Sequence, residues 1–428
     1  MVNLPSDIIP SASYPAILIG GPPHAGKSVL TYNLTRELRR LKIPHFVFRA
    51  STDGEGDWYL SDEFESAVFE IREIRKIRDQ TREQNKIDWF KTFSETICPA
   101  LAKRQLPLLV DLGGKPQDTD TCIFEICTHS ILLLRDDKPD DTKIWHHYTT
   151  KNGLEPIAEL YSQLSKGGGK PLLTAKQPIL TGTIIDLLRE GRISSRMGES
   201  VFKELFDSVV AIFSKYTREQ IDASHCKLAP IQPVINLEHE PYRVAPDPNK
   251  WISDDLQDLP ALVPPQAAIA VYGRAPNWVY TALAVHAYPA PFHQFDACLG
   301  WVKPQPLQIL HQSDTTASSY EQPQDDPNKT VEIKAMRENN SFVVRVRPIY
   351  YYLDYHEAHQ LAFPEPPANM GVIISGKIPF WLFTSIARLY ADRNVPWIAV
   401  NDASSNEPVV VYSSMPSHPI GRTLPKIT

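Results

Sequence analysis

The chain has 428 residues, 42% hydrophobic and 22% charged, a globular composition long enough for two or three domains, which excludes a disordered tail or a small disulfide scaffold. Forty-four basic against 50 acidic side chains give a formal charge of −6. No overall positive field is therefore available to hold DNA or an anionic membrane, and a polyanion must be gripped locally.

The five cysteines lie scattered without C-x-x-C spacing, and the opening MVNLPSDIIPS lacks the pattern of a secretion signal. No apolar run approaches the roughly 18 residues that cross a bilayer. A cytoplasmic protein with reduced thiols, and with neither DNA nor membrane as a partner, is the expectation. Proline is abundant, 38 residues against 19 glycines, and predicts many rigid extended connections.

Residues 15–220 alternate strand and helix patterns. The apolar run PAILIG leads into a helix over about 27–41, followed by strands at HFVFRA, LPLLVDLGG (106–114) and SILLLRD (130–136). Short branched strands of this kind are buried on both faces, and a doubly wound parallel sheet is the economical arrangement. Between them, Phe64, Val68, Ile71, Ile74 and Ile77 recur at helical spacing beside a run of arginines. Residues 60–105 hold nine basic and nine acidic side chains, so this helix reads as a solvated face rather than a basic arm.

Eight prolines fall within residues 226–266, which predicts a semi-rigid crossing after a boundary near residue 225. The segment VEIKAMRENNSFVVRVRP alternates on both sides of an Asn-Asn-Ser turn and reads as a β-hairpin. The second half also repeats itself: IAVYGRAPNWVYTALA (269–284) aligns with VIISGKIPFWLFTSIA (372–387). The alignment pairs Gly273 with Gly376, Arg274 with Lys377, Pro276 with Pro379, Trp278 with Trp381 and Thr281 with Thr384, and each copy then reaches a strand ending in aspartate, Asp296 or Asp402. The expected architecture is α/β throughout: a P-loop doubly wound sheet over 1–225, a Pro-rich linker over 226–268, and two small Rossmann-like units over 269–330 and 331–428.

GGPPHAGKS carries the strongest chemical signal, with Gly21, Gly26, Lys27 and Ser28 matching G-x4-G-K-[ST] between a strand and a helix. Glycines let backbone N–H groups curl around phosphate oxygens, the helix start supplies a positive pole, Lys27 neutralises β- and γ-phosphate charge, and Ser28 can ligate Mg²⁺. Asp111, ending a buried strand, is the candidate second metal carboxylate, or else simply opens a turn before Gly113 and Gly114. Asp53, Glu55 and Asp57 could serve as bases or as ordinary acidic turn residues. Arg192 or Arg196 could form a charge-stabilising lid or a solvated helix end.

In each repeat, glycine ends a strand, a cation follows, and proline opens a helix whose free N–H groups make an anion pocket. Such a crevice is where open α/β sheets bind ligands. Two related pockets suit a symmetric polyphosphate, whereas Trp278 and Trp381 read chiefly as core residues.

These segments, GVIISGKIPFWLFTSIARLY with VPWIAVNDASSNEPVVVYS above all, resemble a CRISPR-associated ring-nuclease family that occurs fused to a P-loop ATPase domain. GGPPHAGKS and VDLGGKP resemble the fused ATPase. The resemblance implies a variant Rossmann architecture, binding and cutting of cyclic tetra-adenylate made in type III interference, ATP with Mg²⁺ at the first site, Mn²⁺ for ring cleavage, and self-association into a homo-oligomer. It implies ligand contacts at Gly376, Lys377 and Trp381 and at their counterparts Gly273, Arg274 and Trp278, with Arg274, Lys377, Asp296 and Asp402 as the catalytic set.

The chain departs from the family at two points. Ala391 with Asp392, and Pro289, stand where stand-alone members carry a catalytic histidine, and Ser404 and Cys298 replace an arginine. His286, His293, His356 and His359 are the nearby histidines that could substitute. Ring binding is thus implied more directly than ring cleavage. The alternative reading is a P-loop small-molecule kinase with Asp53 as base and a regulatory repeat; a third is a binding-only protein that sequesters the messenger.

Overall fold

A computed structural model describes residues 8–50, 98–167, 170–188, 196–245, 251–310, 319–321, 331–338, 340–348, 353, 355–356, 358–402 and 405–427. The chain divides into two compact units, Met1–His225 with Ala297–Leu299, and Cys226–Asp296 with Gly300–Thr428. Both are mixed α/β with parallel strand pairs. The expected arginine-rich helix and the acidic turn at 51–57 lie outside the described residues.

The first unit is built on a seven-stranded sheet. Its strands are β1 (Ala16–Gly20), β2 (Phe46–Arg49), β3 (Leu108–Asp111), β4 (His129–Leu134), β5 (Glu155–Gln163), β6 (Leu172–Ala175) and β7 (Leu180–Ile185), in the order β2-β3-β1-β4-β5-β7-β6. All neighbours run parallel except β6 with β7.

Alternate strand residues supply one buried face of this sheet. Ile17, Ile19, Ile131, Leu133 and Leu160 pack with α1 (Lys27–Arg40), which contributes Leu30, Leu34 and Leu38 from one helical face. The same core takes Phe202, Leu205, Phe206 and Val209 from a further helix, Ser200–Phe213. The expected helix and the strands around the glycine-rich motif are thus present, and β1 lies between β3 and β4, where the connections diverge.

The expectation of reduced thiols is corrected for one pair. Cys98, opening α2 (Cys98–Ala102), and Cys122, in α3 (Thr121–Ile126), form a disulfide. They lie 24 residues apart and are brought together by the packing of the two helices, which spacing in the sequence does not reveal.

The second unit holds a four-stranded, a two-stranded and a six-stranded sheet. The remaining helices of the first unit are α4 (Pro139–Lys151), α5 (Ser200–Phe213) and the boundary helix α6 (Arg218–Lys227). In the second unit, β8 (Val234–Asn236), β9 (Ile269–Tyr272), β10 (Phe292–Asp296) and β11 (Gly300–Val302) form a four-stranded sheet, with α7 (Asn277–His286) between β9 and β10.

A short parallel pair follows, β12 (Gln308–Leu310) with β16 (Ala362–Pro364). The six-stranded sheet runs β13 (Ser319–Glu321), β14 (Val331–Glu338), β15 (Ser341–Pro348), β17 (Gly371–Gly376), β18 (Trp397–Asp402), β19 (Glu407–Ser413), with α8 (Phe380–Ala391) between β17 and β18. The expected hairpin is formed by β14 and β15, with Glu338 opposite Ser341 and a turn through Asn340 at φ 61°.

Both repeat copies therefore follow one plan: a parallel flanking strand, a glycine-ended strand, a helix, a parallel strand and an antiparallel return. α7 packs on α8 and reaches β18 and β19, while α8 also touches β10. The Pro-rich stretch expected as a linker contributes β8 and the core side chains Leu237, Leu256, Leu259 and Val263.

Side-chain hydrogen bonds join the copies. Arg388 of α8 donates to the carbonyls of Ala284 (3.3 Å), Pro289 (3.2 Å) and Ala290 (2.9 Å), which satisfies acceptors at the end of α7, and its guanidinium lies 5.0 Å from the Tyr288 ring.

His225 gives the first unit a pH dependence. Its Nε2–H donates to the Gln105 carbonyl at 2.8 Å, and burial, outweighing that bond, lowers its pKa from 6.5 to about 4. Between those values the unfolded chain takes up a proton that the folded chain refuses, so stability is complete above the upper value and drains away as pH falls. Urea unfolding of the full chain should show a loss of about 2 kcal/mol between pH 7 and pH 5 attributable to this group, and His225→Gln should remove that difference.

Candidate functional site

In the first unit the loop between β1 and α1 sits at the carboxyl end of the central strand. Gly26 holds the position before α1 at φ 85°, and a Cβ there would collide with Leu187, so no other residue fits without displacing the helix start. Lys27 is only 7% exposed, and its Nζ donates to the carbonyls of Gly21 (2.8 Å) and Pro22 (3.0 Å), curling the loop around the ammonium.

Ser28 Oγ donates to Asp111 Oδ2 at 2.8 Å. The carboxylate is 1% exposed and stands where β3 pairs with β1, Ile19 opposite Asp111. Gly21, Gly26, Lys27, Ser28 and Asp111 are thus gathered at one strand end. A hydroxyl and a carboxylate side by side are the hard oxygen donors that Mg²⁺ takes, so the residues fit that ion. Arg196 is drawn elsewhere: it donates to the carbonyls of Ile185 and Asp186 and pairs with Glu199 at 2.9 Å. Asp53, Glu55, Asp57 and Arg192 lie outside the described residues.

In the second unit the two copies place equivalent groups in equivalent backbone geometry. Gly273 directly follows β9 and Gly376 ends β17, with φ 111° and 145°, and Pro276 and Pro379 precede the helices in extended conformation. A Cβ at Gly376 would strike the Val346 carbonyl of the neighbouring strand. Arg274 and Lys377 follow the glycines and are exposed, at the mouths of two notches. Trp278 and Trp381 are 2% and 1% exposed, and both belong to the shared core. Thr281 and Thr384 are buried as well; Thr384 Oγ1 donates to Gln294 Oε1 of the other copy at 2.8 Å.

The aspartates end β10 and β18 as expected but sit differently. Asp402 Oδ2 accepts from the Ser405 N–H (3.2 Å) and hydroxyl (2.9 Å) within the β18–β19 turn. Asp296 lies near Tyr280, whose phenol donates to the Gly273 carbonyl; burial and, secondarily, this carboxylate raise the Tyr280 pKa. His286 donates to the Val263 carbonyl (2.7 Å) and His359 to that of His356 (2.6 Å), while burial lowers the pKa of His293. Among the described residues, no three His, Cys, Asp or Glu side chains gather as a metal site, and no helix is long and apolar enough to cross a membrane.

Sequence reasoning missed Tyr280 and Glu238. Glu238 Oε1 accepts the Arg274 N–H at 2.9 Å, a contact between residues 36 apart with no spacing signal.

Residues 349–425 match the model of a family described as CRISPR-associated protein (Cas_csx3). The matched stretch contains Gly376, Lys377, Trp381 and Asp402, and it ties the chain to CRISPR-associated proteins. No curated protein matches the chain.

The notch geometry separates scaffold from surface. Gly376→Ala should destabilise the chain by about 2 kcal/mol or more, combining left-handed strain with the carbonyl collision, whereas Lys377→Ala should stay within about 0.5 kcal/mol. Chemical denaturation of both variants reads the contrast.

Proposed function

We propose that the chain binds a cyclic oligoadenylate in the paired notches of its second unit, is able to open it, and couples this to a nucleotide-hydrolysing first unit. The ring reading is carried by one observation: the family match falls on the copy that holds Gly376, Lys377 and Asp402. Support comes from the second copy of the same backbone device at Gly273 and Arg274 in the same unit. A ring with repeating phosphates can engage both at once, so two modest charge-assisted contacts of about 1.5–3 kcal/mol act together.

In this reading Arg274 and Lys377 meet phosphate charge, and the helix starts behind them stabilise the oxyanion that develops when an adenylate 2′-hydroxyl attacks its own 3′-phosphate. Asp296 and Asp402, each ending the next strand, are the candidates to take the hydroxyl proton. The leaving 5′-oxygen takes a proton, and the ring opens at one linkage. Trp278 and Trp381 support this site from the core rather than by contact with the ligand.

For the first unit the reading is a P-loop ATPase site. Gly21 and Gly26 shape the phosphate cradle, and Lys27 moves from loop carbonyls to β- and γ-phosphate oxygens. Ser28 and Asp111 would hold Mg²⁺, which would supply positive charge beside the transferred phosphoryl group. Self-association and the cytoplasm as working compartment belong to the same proposal.

Two measurements test it. With radiolabelled ATP and Mg²⁺, Lys27→Ala or Asp111→Asn should lower turnover at least about a hundredfold, the usual cost of removing one such electrostatic group. With labelled cyclic tetra-adenylate, the Arg274→Glu, Lys377→Glu double variant should abolish binding, and undiminished binding would refute the ring site. If the wild-type chain binds the ring but returns it intact with and without added Mn²⁺, the activity reduces to sequestration.

A further inference from the structure

The two notches are built alike in backbone but opposite in the charge set beside them. The strand flanking each glycine gives the correspondence. β8 pairs with β9 so that Asn236 lies opposite Tyr272, and β15 pairs with β17 so that Arg345 lies opposite Ser375. Tyr272 and Ser375 each precede the notch glycine, so Asn236 corresponds to Arg345 and, two residues on, Glu238 corresponds to Arg347. Burial supports the register: Ile235 and Leu237 enter the core, as Val344 and Val346 do in the other copy.

Glu238 is aimed at its notch. Its Oε1 accepts the Arg274 N–H at 2.9 Å, its Cγ lies 3.0 Å from where a Gly273 Cβ would be, and its own N–H donates to Asn236 Oδ1 at 3.1 Å, fixing the backbone that presents it. A carboxylate thus occupies the amide that a phosphate oxygen would use. In the second copy the corresponding side chain is a guanidinium, Arg347, which pairs at 2.8 Å with Glu332 across the hairpin and is 63% exposed.

We infer that Glu238 is the residue that makes the two notches unequal: it stands in for a phosphate in the first, so an oligoadenylate engages the second notch directly and the first only by displacing this carboxylate. The inference rests on the ring-binding reading above and sets its specificity. A ligand that offers one phosphate group meets the second notch alone. A closed ring long enough to span both must expel Glu238, so part of its binding energy goes into that displacement, and affinity is held below what two open notches would give. Arg347, beside the second notch, adds cationic character on the side where the phosphate is first held.

Equilibrium binding of fluorescent cyclic tetra-adenylate to the full chain tests this, with Glu238→Gln as the decisive variant. Glutamine keeps an oxygen to accept the Arg274 N–H and keeps the shape, but removes the competing charge; equal unfolding midpoints would verify that the cap survives. The variant should bind the ring about tenfold more tightly than wild type, while binding of adenosine 5′-monophosphate should stay unchanged. Arg347→Gln should weaken both ligands by severalfold. If wild type binds the ring and Glu238→Gln binds it equally or more weakly, Glu238 is a structural cap and the inference is overturned while the ring site stands. If neither wild type nor Glu238→Gln binds the ring, the ring reading fails and this inference falls with it.

Discussion

The architecture depends on one recurrent constraint: a parallel strand must hand over to a helix while leaving backbone N–H groups pointed outward. At β1, β9 and β17 the handover uses a glycine whose neighbouring strand is too close to admit a side chain, or a left-handed residue at the helix start. The amides left without helical partners then supply a fixed positive pole at a strand end. Among the described residues, the candidate sites are arranged around these ends. Lys27, Ser28 and Asp111 collect at the first, and Arg274 and Lys377 stand at the other two.

Core packing makes these ends rigid. In the first unit, Ile17, Ile19, Ile131 and Leu133 are buried against α1 and α5, and Trp145 of α4 closes on Gly20 at the end of β1, so the strand end before the loop is tightly packed. In the second, one core cluster runs through both copies and takes the indoles of Trp278 and Trp381, while a second cluster of Val343, Ile373, Trp397 and Val410 packs on the six-stranded sheet. Both indoles, which the sequence offered chiefly as core residues and alternatively as ligand contacts, are buried there. Each indole is the second residue of its helix and anchors the helix start to the core.

Much of this was legible because local pattern and tertiary role coincide. The glycine-rich motif with its strand and helix, the strand carrying Asp111, the hairpin around Asn340 and the duplicated Gly-cation-Pro-Trp segments each carry their signal within a few consecutive residues. What stayed hidden depends on distance. The Cys98–Cys122 bond and the Glu238 contact join residues 24 and 36 positions apart, with no spacing rule to announce them. β8 is three residues long inside a run of prolines, too brief for alternation to show, and its membership of the sheet comes from pairing with β9. The aspartates were placed correctly at strand ends by pattern, yet their different settings, Asp402 in a serine-capped turn and Asp296 beside a buried tyrosine, follow from loops that the repeat does not share.

The Arg388 latch is one-sided, for the position in α7 that corresponds to it is Val285. The first copy ends its helix on a borrowed cation, and what it gives back at the end of α8 is a neutral hydroxyl, Tyr288 donating to Asp392. Duplication has therefore ended in dependence: excised from its sister, the earlier copy would present bare carbonyls to solvent and lose the neighbour its helix leans on, so the halves are no longer interchangeable modules but a single heritable pair.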